Sequence, residues 1–257
     1  MIRTYTYKLY NNDKWLKKYE NHLSVCRYVY NIAIETKEYA YQNGLSLSGF
    51  DLSKQLTECK KEFPWIKQVG AQSLQAIIER LDLGYKKFYK DLKTGKKVSK
   101  PKWAKKGKFQ TITYKQNVKE TEKGFKLPSF GNIKVFNKKK INGKIKQARL
   151  TKKAGNLYVQ IVVEKEDTYN LNENQVGIDM GISRFLTTSE GEVIENPRHL
   201  NKYLKTLRVA NRSLSRKKKG SNTFKKQVKK LQRIHLKVSN TRKDFLHKTS
   251  TNLAREN

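Results

Sequence analysis

The residue of this chain best placed for chemistry is Asp179, within VGIDMGISRFLTTSEGEVIENPRHL, Val176 to Leu200. It lies in a short apolar run that reads as a strand, with Gly177 and Gly181 leaving the backbone open on either side. A carboxylate aimed out of a sheet in this way suits phosphodiester hydrolysis by paired divalent ions, one serving the attacking water and one the leaving oxygen. Magnesium takes oxygen ligands, so several carboxylates must converge from separate strands. The other acids are poor partners. Glu190, Glu192 and Glu195 fall at a hairpin and strand end, where carboxylates are ordinarily solvated, and Glu164, Glu166 and Asp167 precede a polar break. Asp244 sits among cations that would pair with it. Because hydrophobic-Asp-x-Gly also occurs in ordinary strand ends and turns, spacing alone leaves Asp179 open between a catalytic and a structural role.

A second chemistry is stacking on bases combined with contact to phosphates. CRYVYN, Cys26 to Asn31, puts Arg27, Tyr28 and Asn31 on a helix, and KKVSKPKWAKK sets Trp103 among Lys97, Lys100 and Lys102. An aromatic ring there can stack on an unpaired base while the lysines hold its phosphates. The other role for Tyr28, Tyr30 and Trp103 is packing in the core. Gln72 and Gln75 are helical amides able to reach base edges. Cys26 and Cys59 stand in no metal-ligand spacing and read as buried thiols of a cytosolic protein. His22, His199, His235 and His247 each lie alone, so no zinc site is expected.

The elements that must position these residues are set by periodicity. IRTYTYKLY alternates and predicts a strand. From Asn12 or Asp13 as cap, Trp15, Leu16, Tyr19, Leu23, Cys26, Val29 and Ala33 recur at three and four residues and predict a helix ending at Gly44. A short helix from about Ser48, closed by Phe63-Pro64-Trp65, and a longer one over about 72–92 complete a helical block over 11–95. A basic Gly/Lys loop comes next. FQTITYKQ, GFKLP, NIKVF, KIKQARLTKK and NLYVQIVVEKE then read as five strands. A strand, an inserted helical block and a string of strands predict an α+β chain: a β-barrel from 1–10 and 96–167 with the helices inserted after its first strand. TYNLNEN, residues 168–174, is the expected boundary. Beyond it, 174–257 holds three strands and two basic helical stretches, about 199–218 and 222–255.

Charge names the partner class. Lys and Arg number 57 against 22 Asp and Glu, a net charge of +35. So large an imbalance destabilises a compact chain by self-repulsion unless a polyanion is present. From Arg198 to Lys248 there are 18 Lys and Arg and one acid, Asp244. Like charges at i,i+4 weaken a bare helix, whereas phosphates relieve the repulsion through counterion release. The opening MIRTYTYKLY has no signal-peptide core, and no run approaches a membrane span, so a cytoplasmic, nucleoid-associated protein with no membrane partner is expected.

Several motifs in one order resemble those of TnpB, the RNA-guided nuclease family of bacterial insertion sequences related to type V CRISPR effectors. They are KLY, CRYVYN, LSGFDLSKQL, FPWIKQVGAQSLQ, LDLGYKKFY, GKKVSKPKW, FKLPSFGNIKV, GKIKQARLTKKAGNLYVQIVVE, the Asp179 stretch, LSRKKKGS and LQRIHLKVSNTRKDFLHKTSTNLARE. The resemblance implies a wedge β-barrel interrupted by a helical recognition lobe, then a partial RuvC/RNase H-like α/β domain in which Asp179 is the first catalytic carboxylate. It implies as partners a guide RNA, from the insertion-sequence end or an adjacent locus, and a double-stranded DNA target. Base pairing would read the sequence while the protein reads a short adjacent motif. By alignment the motif readers fall at Gly49, Phe50, Ala71, Gln72, Gln75, Tyr114 and Gln116. Arg27, Tyr28, Asn31, Lys97, Lys100, Lys102, Trp103, Arg212, Arg216, Lys217, Lys218, Lys219, Arg233 and Arg242 are expected on the RNA and the RNA–DNA heteroduplex.

This sequence departs from the family pattern after LARE, where a complete member continues with a strand carrying a catalytic Glu, a four-cysteine zinc ribbon and a last catalytic Asp. One carboxylate of three should not hold two ions, so magnesium is expected only with a completed site and cleavage is not expected of this chain. The resemblance leads to two functions. One is an RNA-guided DNA-binding protein acting by occupancy, for example as a transcriptional repressor. The other is the N-terminal portion of an RNA-guided DNA endonuclease whose catalytic remainder lies outside this chain. Non-specific RNA binding is a third, which the ordered motifs disfavour.

Overall fold

Alternation at the N-terminus forms β1 (Ile2–Lys8), which pairs antiparallel with a later strand so that Tyr7 and then Leu9 turn inward. The structure is a computed structural model and describes residues 1–10, 13–166 and 174–256; Asn12, one of the two expected caps, and Asp167 lie outside that set. The chain is α+β and divides into two compact units, Met1–Lys152 with Asn156–Asp167, and Lys153–Gly155 with Thr168–Asn257.

In the first unit the three- and four-residue spacing produces α1 (Asp13–Gln42), burying Tyr19, Leu23, Cys26, Val29, Ala33 and Ile34 along one face. The helix is closed by Gly44 at φ +73°, a left-handed position that glycine takes without a Cβ clash, with Leu45 N–H donating back to Ala40 O at 2.8 Å. The next helix, α2 (Gly49–Glu62), starts at a reciprocal cap: Ser48 accepts from the Asp51 amide, and the Asp51 carboxylate accepts from the Ser48 amide and hydroxyl. Those bonds hold the Asp51 carboxyl below its ordinary range. After a 3-10 turn at Pro64–Gln68, α3 (Ala71–Lys93) buries Leu74, Ile77, Ile78, Leu81 and Tyr85.

The strands β2 (Thr111–Tyr114), β3 (Lys119–Thr121), β4 (Gly124–Leu127), β5 (Gly131–Lys134), β6 (Lys144–Lys153) and β7 (Asn156–Glu164) join β1 in two antiparallel sheets. One runs β1-β7-β6-β2, the other β3-β4-β5. The sheets of the expected β-barrel do not close on each other among the described residues. The sheets meet at one corner, where Leu9 bridges Val135 and Phe136 N–H donates to Lys8 O at 2.9 Å. Closure would need β2 to pair with β3, but β2 has four residues and β3 three, and the chain between them leaves the ladder. The all-polar Lys119-Glu120-Thr121 strand carries no alternation and was not foreseen; its partner β4 supplies the order. Gly124 is fixed by close approach, since a Cβ there would lie 1.8 Å from the Ile133 carbonyl oxygen. Inward residues of both sheets (Leu157, Val159, Ile161, Val163, Phe125, Leu127 and Ile133) join α1–α3 in one core.

The second unit holds β8 (Ile178–Asp179), β9 (Arg184–Thr188) and β10 (Val193–Glu195) in the order β10-β9-β8, with α4 (Asn201–Ser215) and α5 (Asn222–Glu256) after them. Its core is thin. Leu186, Leu207, Ala210 and Val238 are its buried apolar residues among those described, joined by Phe245 edge-on to Phe185 with ring centroids 4.9 Å apart.

Candidate nucleic-acid interface

Asp179 stands on a two-residue strand whose register partner is Thr187, and both strand residues are exposed. Its neighbours Met180 and Ile182 are also open to solvent. Glu195 lies across from Arg184 at an irregular point of the ladder, and Glu192 spends its backbone on the Thr188 turn. Asp244 pairs with Lys248 at 2.8 Å. Among the described residues no three His, Cys, Asp or Glu side chains come together as a metal-binding group. Magnesium needs several converging oxygens, so the described donors do not fit a two-metal centre.

In the first unit, α3 presents a ridge at helical spacing: Gln72, Gln75, Glu79, Asp82 and Lys86. On one side lies a groove of about 440 Å³ against β2 and β6, where Arg80, Lys115, Gln147 and Arg149 reach the lining. On the other lies a groove of about 560 Å³ between α1, α2 and α3, lined by Lys37, Ser48, Phe50, Ser53 and Tyr89. Glu79 borders both. The acids of the ridge are neutralised, Glu79 by Lys115 and Asp82 by Lys86 at 2.8 Å. The field facing a polyanion is therefore set by the remaining cations.

Of the residues expected to read a DNA motif, Gln72 and Gln75 lie on this ridge, Gln116 bonds to it, and Gly49 and Phe50 line the groove beside it. Gln72 donates from Nε2 to Gln116 Oε1 at 2.6 Å, tying α3 to the exit of β2, and Gln75 stands exposed one turn on. Phe50 is 68% exposed, with Lys54 over its ring at 4.8 Å. A Cβ at Gly49 would come within 3.0 Å of the Asp82 side chain, which explains a glycine where α2 crosses α3. Ala71 opens α3 on the surface. Tyr114 differs: it is 1% exposed and its hydroxyl has no hydrogen-bond partner, so its ring serves the core and its edge cannot reach a base from there. The alternating β2 pattern carried that information, since Ile112 and Tyr114 share the inward face.

Asn31, expected on RNA, is engaged within the protein. Its Oδ1 accepts from the Ala104 amide at 2.7 Å and its Nδ2 donates to the Ala104 carbonyl at 3.4 Å. That anchors the basic loop beside Trp103, which is 49% exposed. Lys97 and Lys102 are exposed, and Lys100 pairs with Glu38 at 2.7 Å. Tyr28 stands at the surface, edge-on to Trp65 at 4.8 Å, so a second exposed indole lies beside the helix motif. Sequence reasoning passed over Trp65 because Pro64-Trp65 read only as a helix stop. Arg27 is half-buried, and one of its terminal guanidinium nitrogens has no partner. Cys26 is buried, its thiol pushed up to about 12 by desolvation, as befits an inert core residue.

In the second unit, Arg212, Arg216, Lys218, Lys219, Arg233 and Arg242 are exposed, and Lys217 partly so, on α4, its connection to α5, and α5.

Two family models match the chain. One, described as "probable transposase", covers residues 159–257; the other, described as a helix-turn-helix domain, covers 1–46. The described part of 1–46 is here a strand and a single long helix, α1. An Escherichia coli K12 protein named as an RNA-guided DNA endonuclease, InsQ, is 30% identical over 233 residues, covering 88% of this chain and 57% of the relative. A Streptomyces pristinaespiralis protein named as an RNA-guided DNA endonuclease is 29% identical over 265 residues, covering 99% of this chain and 65% of the relative. A Mycobacterium tuberculosis H37Rv relative of the same designation is 28% identical over 184 residues, covering 63% of this chain and 40% of the relative. The chain thus spans less than two thirds of the length of the relatives it matches. These matches place the chain in the IS605 OrfB class of proteins. The chain belongs to the TnpB family.

Proposed function

We propose that this chain is the nucleic-acid-gripping portion of an RNA-guided DNA endonuclease of the TnpB family. It binds a guide RNA, and through that RNA a matched double-stranded DNA target. The observation that carries this reading is the exposed, nearly acid-free cation array of residues 198–248, whose single acid is already paired with Lys248. Such an array is stable in a compact protein when it faces phosphates. The names of the relatives support the kind of nucleic acid.

The roles divide between the units. The sheets and α1–α3 correspond to the wedge and recognition lobe, and the ridge Gln72–Gln75 with Gln116 and Phe50 reads the short motif beside the target. The β8–β10 sheet with its basic helices corresponds to the start of a RuvC-like domain, with Asp179 as its first carboxylate. The described donors do not assemble a two-metal centre, so binding of the guide RNA and of matched DNA is the activity to look for first.

The test is to purify the chain from cells that carry its own locus, sequence the RNA that co-purifies, and measure binding of a DNA matched to that RNA. A single enriched RNA species and matched-target binding are expected. Random cellular RNA, or equal binding of matched and unmatched DNA, sinks the proposal.

A further inference from the structure

The helical hairpin α4–α5 carries its cations on two faces that a single nucleic-acid groove cannot reach together. Its register is fixed by two contacts. Gln227 Nε2 donates to Ala210 O at 3.0 Å, and Lys237 lies over the Tyr203 ring at 5.5 Å. Continuing that antiparallel register sets Lys205 level with Arg233, Arg208 level with Lys229, and Arg212 level with Lys225. All six side chains are exposed. The seam between the helices is made by other residues: Leu207, Ala210 and Val238 are buried, and Leu204, Leu214, Phe224 and Leu231 are half-buried.

At 3.6 residues per turn, Lys205, Arg208 and Arg212 fall on the side of α4 away from Leu207 and Ala210. Lys225, Lys229 and Arg233 fall on the side of α5 away from Gln227 and Val238, flanked by Lys226. The two sets extend over seven and eight residue steps, about 10 and 12 Å of helix. Each level of the hairpin therefore bears one cation on each outer face, with an apolar seam between.

The widths then decide what can bind. Two packed helices with side chains measure roughly 20–24 Å across. The major groove of B-DNA is about 12 Å wide and admits one helix, and that of an RNA duplex is narrower still. A single groove can thus take one edge of the hairpin and leaves the other facing solvent. A single strand would have to wrap the bar to neutralise both edges.

We infer that the α4–α5 hairpin is a spacer that holds two polynucleotide backbones at once, one along the α4 edge and one along the α5 edge. This rests on the nucleic-acid reading above and adds to it the stoichiometry and the geometry. The shared chemistry is a phosphodiester backbone, and RNA or DNA can supply either side.

The test uses the full chain and two 12-base-pair duplexes carrying a donor and an acceptor dye, with RNA–RNA, DNA–DNA and RNA–DNA pairings as separate arms. Wild type should bring donor and acceptor together, and the pairing giving the strongest transfer tells which polymer each edge prefers. Neutralising the α4 edge (Lys205→Gln, Arg208→Gln, Arg212→Gln) or the α5 edge (Lys225→Gln, Lys229→Gln, Arg233→Gln) should abolish energy transfer while one duplex still binds. In either variant the log–log salt slope on DNA should fall by roughly two to three units. The charge-preserving set Lys205→Arg, Lys225→Arg and Lys229→Arg should keep transfer, which guards against a folding defect as the cause. Wild-type binding of one duplex without transfer overturns the two-edge arrangement alone, as does transfer that survives both neutralised edges. Failure of wild type to bind any duplex overturns this inference together with the reading it rests on.

Discussion

Asn31 holds the backbone of Ala104 with both ends of its amide, accepting at 2.7 Å and donating at 3.4 Å, so a helix side chain sets the position of the loop bearing Trp103. Asn31 and Trp103 therefore act as one device, and their substitutions should not add. Trp103→Ala should weaken binding of unpaired RNA by about 1–3 kcal/mol, the range for one base on an aromatic ring. Asn31→Ala should weaken it by a similar amount without contacting RNA, and the double variant should be little worse than either. Full additivity in titrations of a single-stranded oligonucleotide would show that the loop is positioned by something else.

Tyr114 places a hydroxyl in the core with no partner, and burial pushes its pKa far upward. An unsatisfied buried polar group costs about 1–3 kcal/mol. Tyr114→Phe should therefore be neutral or stabilising in urea melts, and should leave the preferred DNA motif unchanged. Loss of motif preference in this variant would mean that the ring turns outward on binding.

The helices and the alternating strands were legible because each buries one face, and burial writes its period into the sequence. Cys26, Val29 and Ala33 on α1, and Leu157, Val159, Ile161 and Val163 on β7, show this directly. The open sheets were not legible. Whether β2 meets β3 depends on the path of the loop between them and on partners distant in sequence, and the polar Lys119–Thr121 strand has no pattern at all. At the candidate site, residue types were visible and their engagement was not. Nothing local tells that Asn31 is occupied by Ala104, that Gln72 leans on Gln116, or that Tyr28 meets Trp65.

Gln75 and Gln72 sit one turn apart on α3 but are in different states, since Gln72 is bonded to Gln116 at 2.6 Å and Gln75 is exposed. Gln75→Ala should therefore cost about 1–3 kcal/mol of discrimination at one base pair beside the target. Gln72→Ala should act indirectly, loosening the α3–β2 junction and lowering affinity for all sequences alike. A randomised-motif binding selection on the RNA-loaded protein separates the two. A Gln75→Ala profile identical to wild type refutes base reading by this side chain.

His22 is buried edge-on to Phe130, with centroids 5.5 Å apart, and Lys18 lies over the same ring. Desolvation first, and the Lys18 charge second, lower its pKa from 6.5 to about 4. As pH falls, the unfolded chain takes up the proton near 6.5 while the folded one holds the imidazole neutral. The stability present above pH 6.5 is thus lost progressively toward about pH 4. Thermal melts from pH 7 to 5 should show a steeper fall for wild type than for His22→Leu. Parallel curves would remove His22 from the acid response.

Asp179 is an exposed residue on a two-residue edge strand, and among the described residues no cluster of acids faces it. A carboxylate that shares a divalent ion is held in a costly like-charge arrangement, so its removal alters both apo stability and metal response. A solitary exposed one does neither. Asp179→Asn should leave the stability of this chain within about 0.5 kcal/mol of wild type. Millimolar Mg²⁺ should stabilise neither protein beyond what equal ionic strength of a monovalent salt achieves. If Mg²⁺ raises the wild-type melting temperature and Asp179→Asn abolishes the rise, further oxygen donors reach Asp179, and the incomplete-centre reading fails. If the ion stabilises both equally, it acts elsewhere, and the solitary state of Asp179 stands.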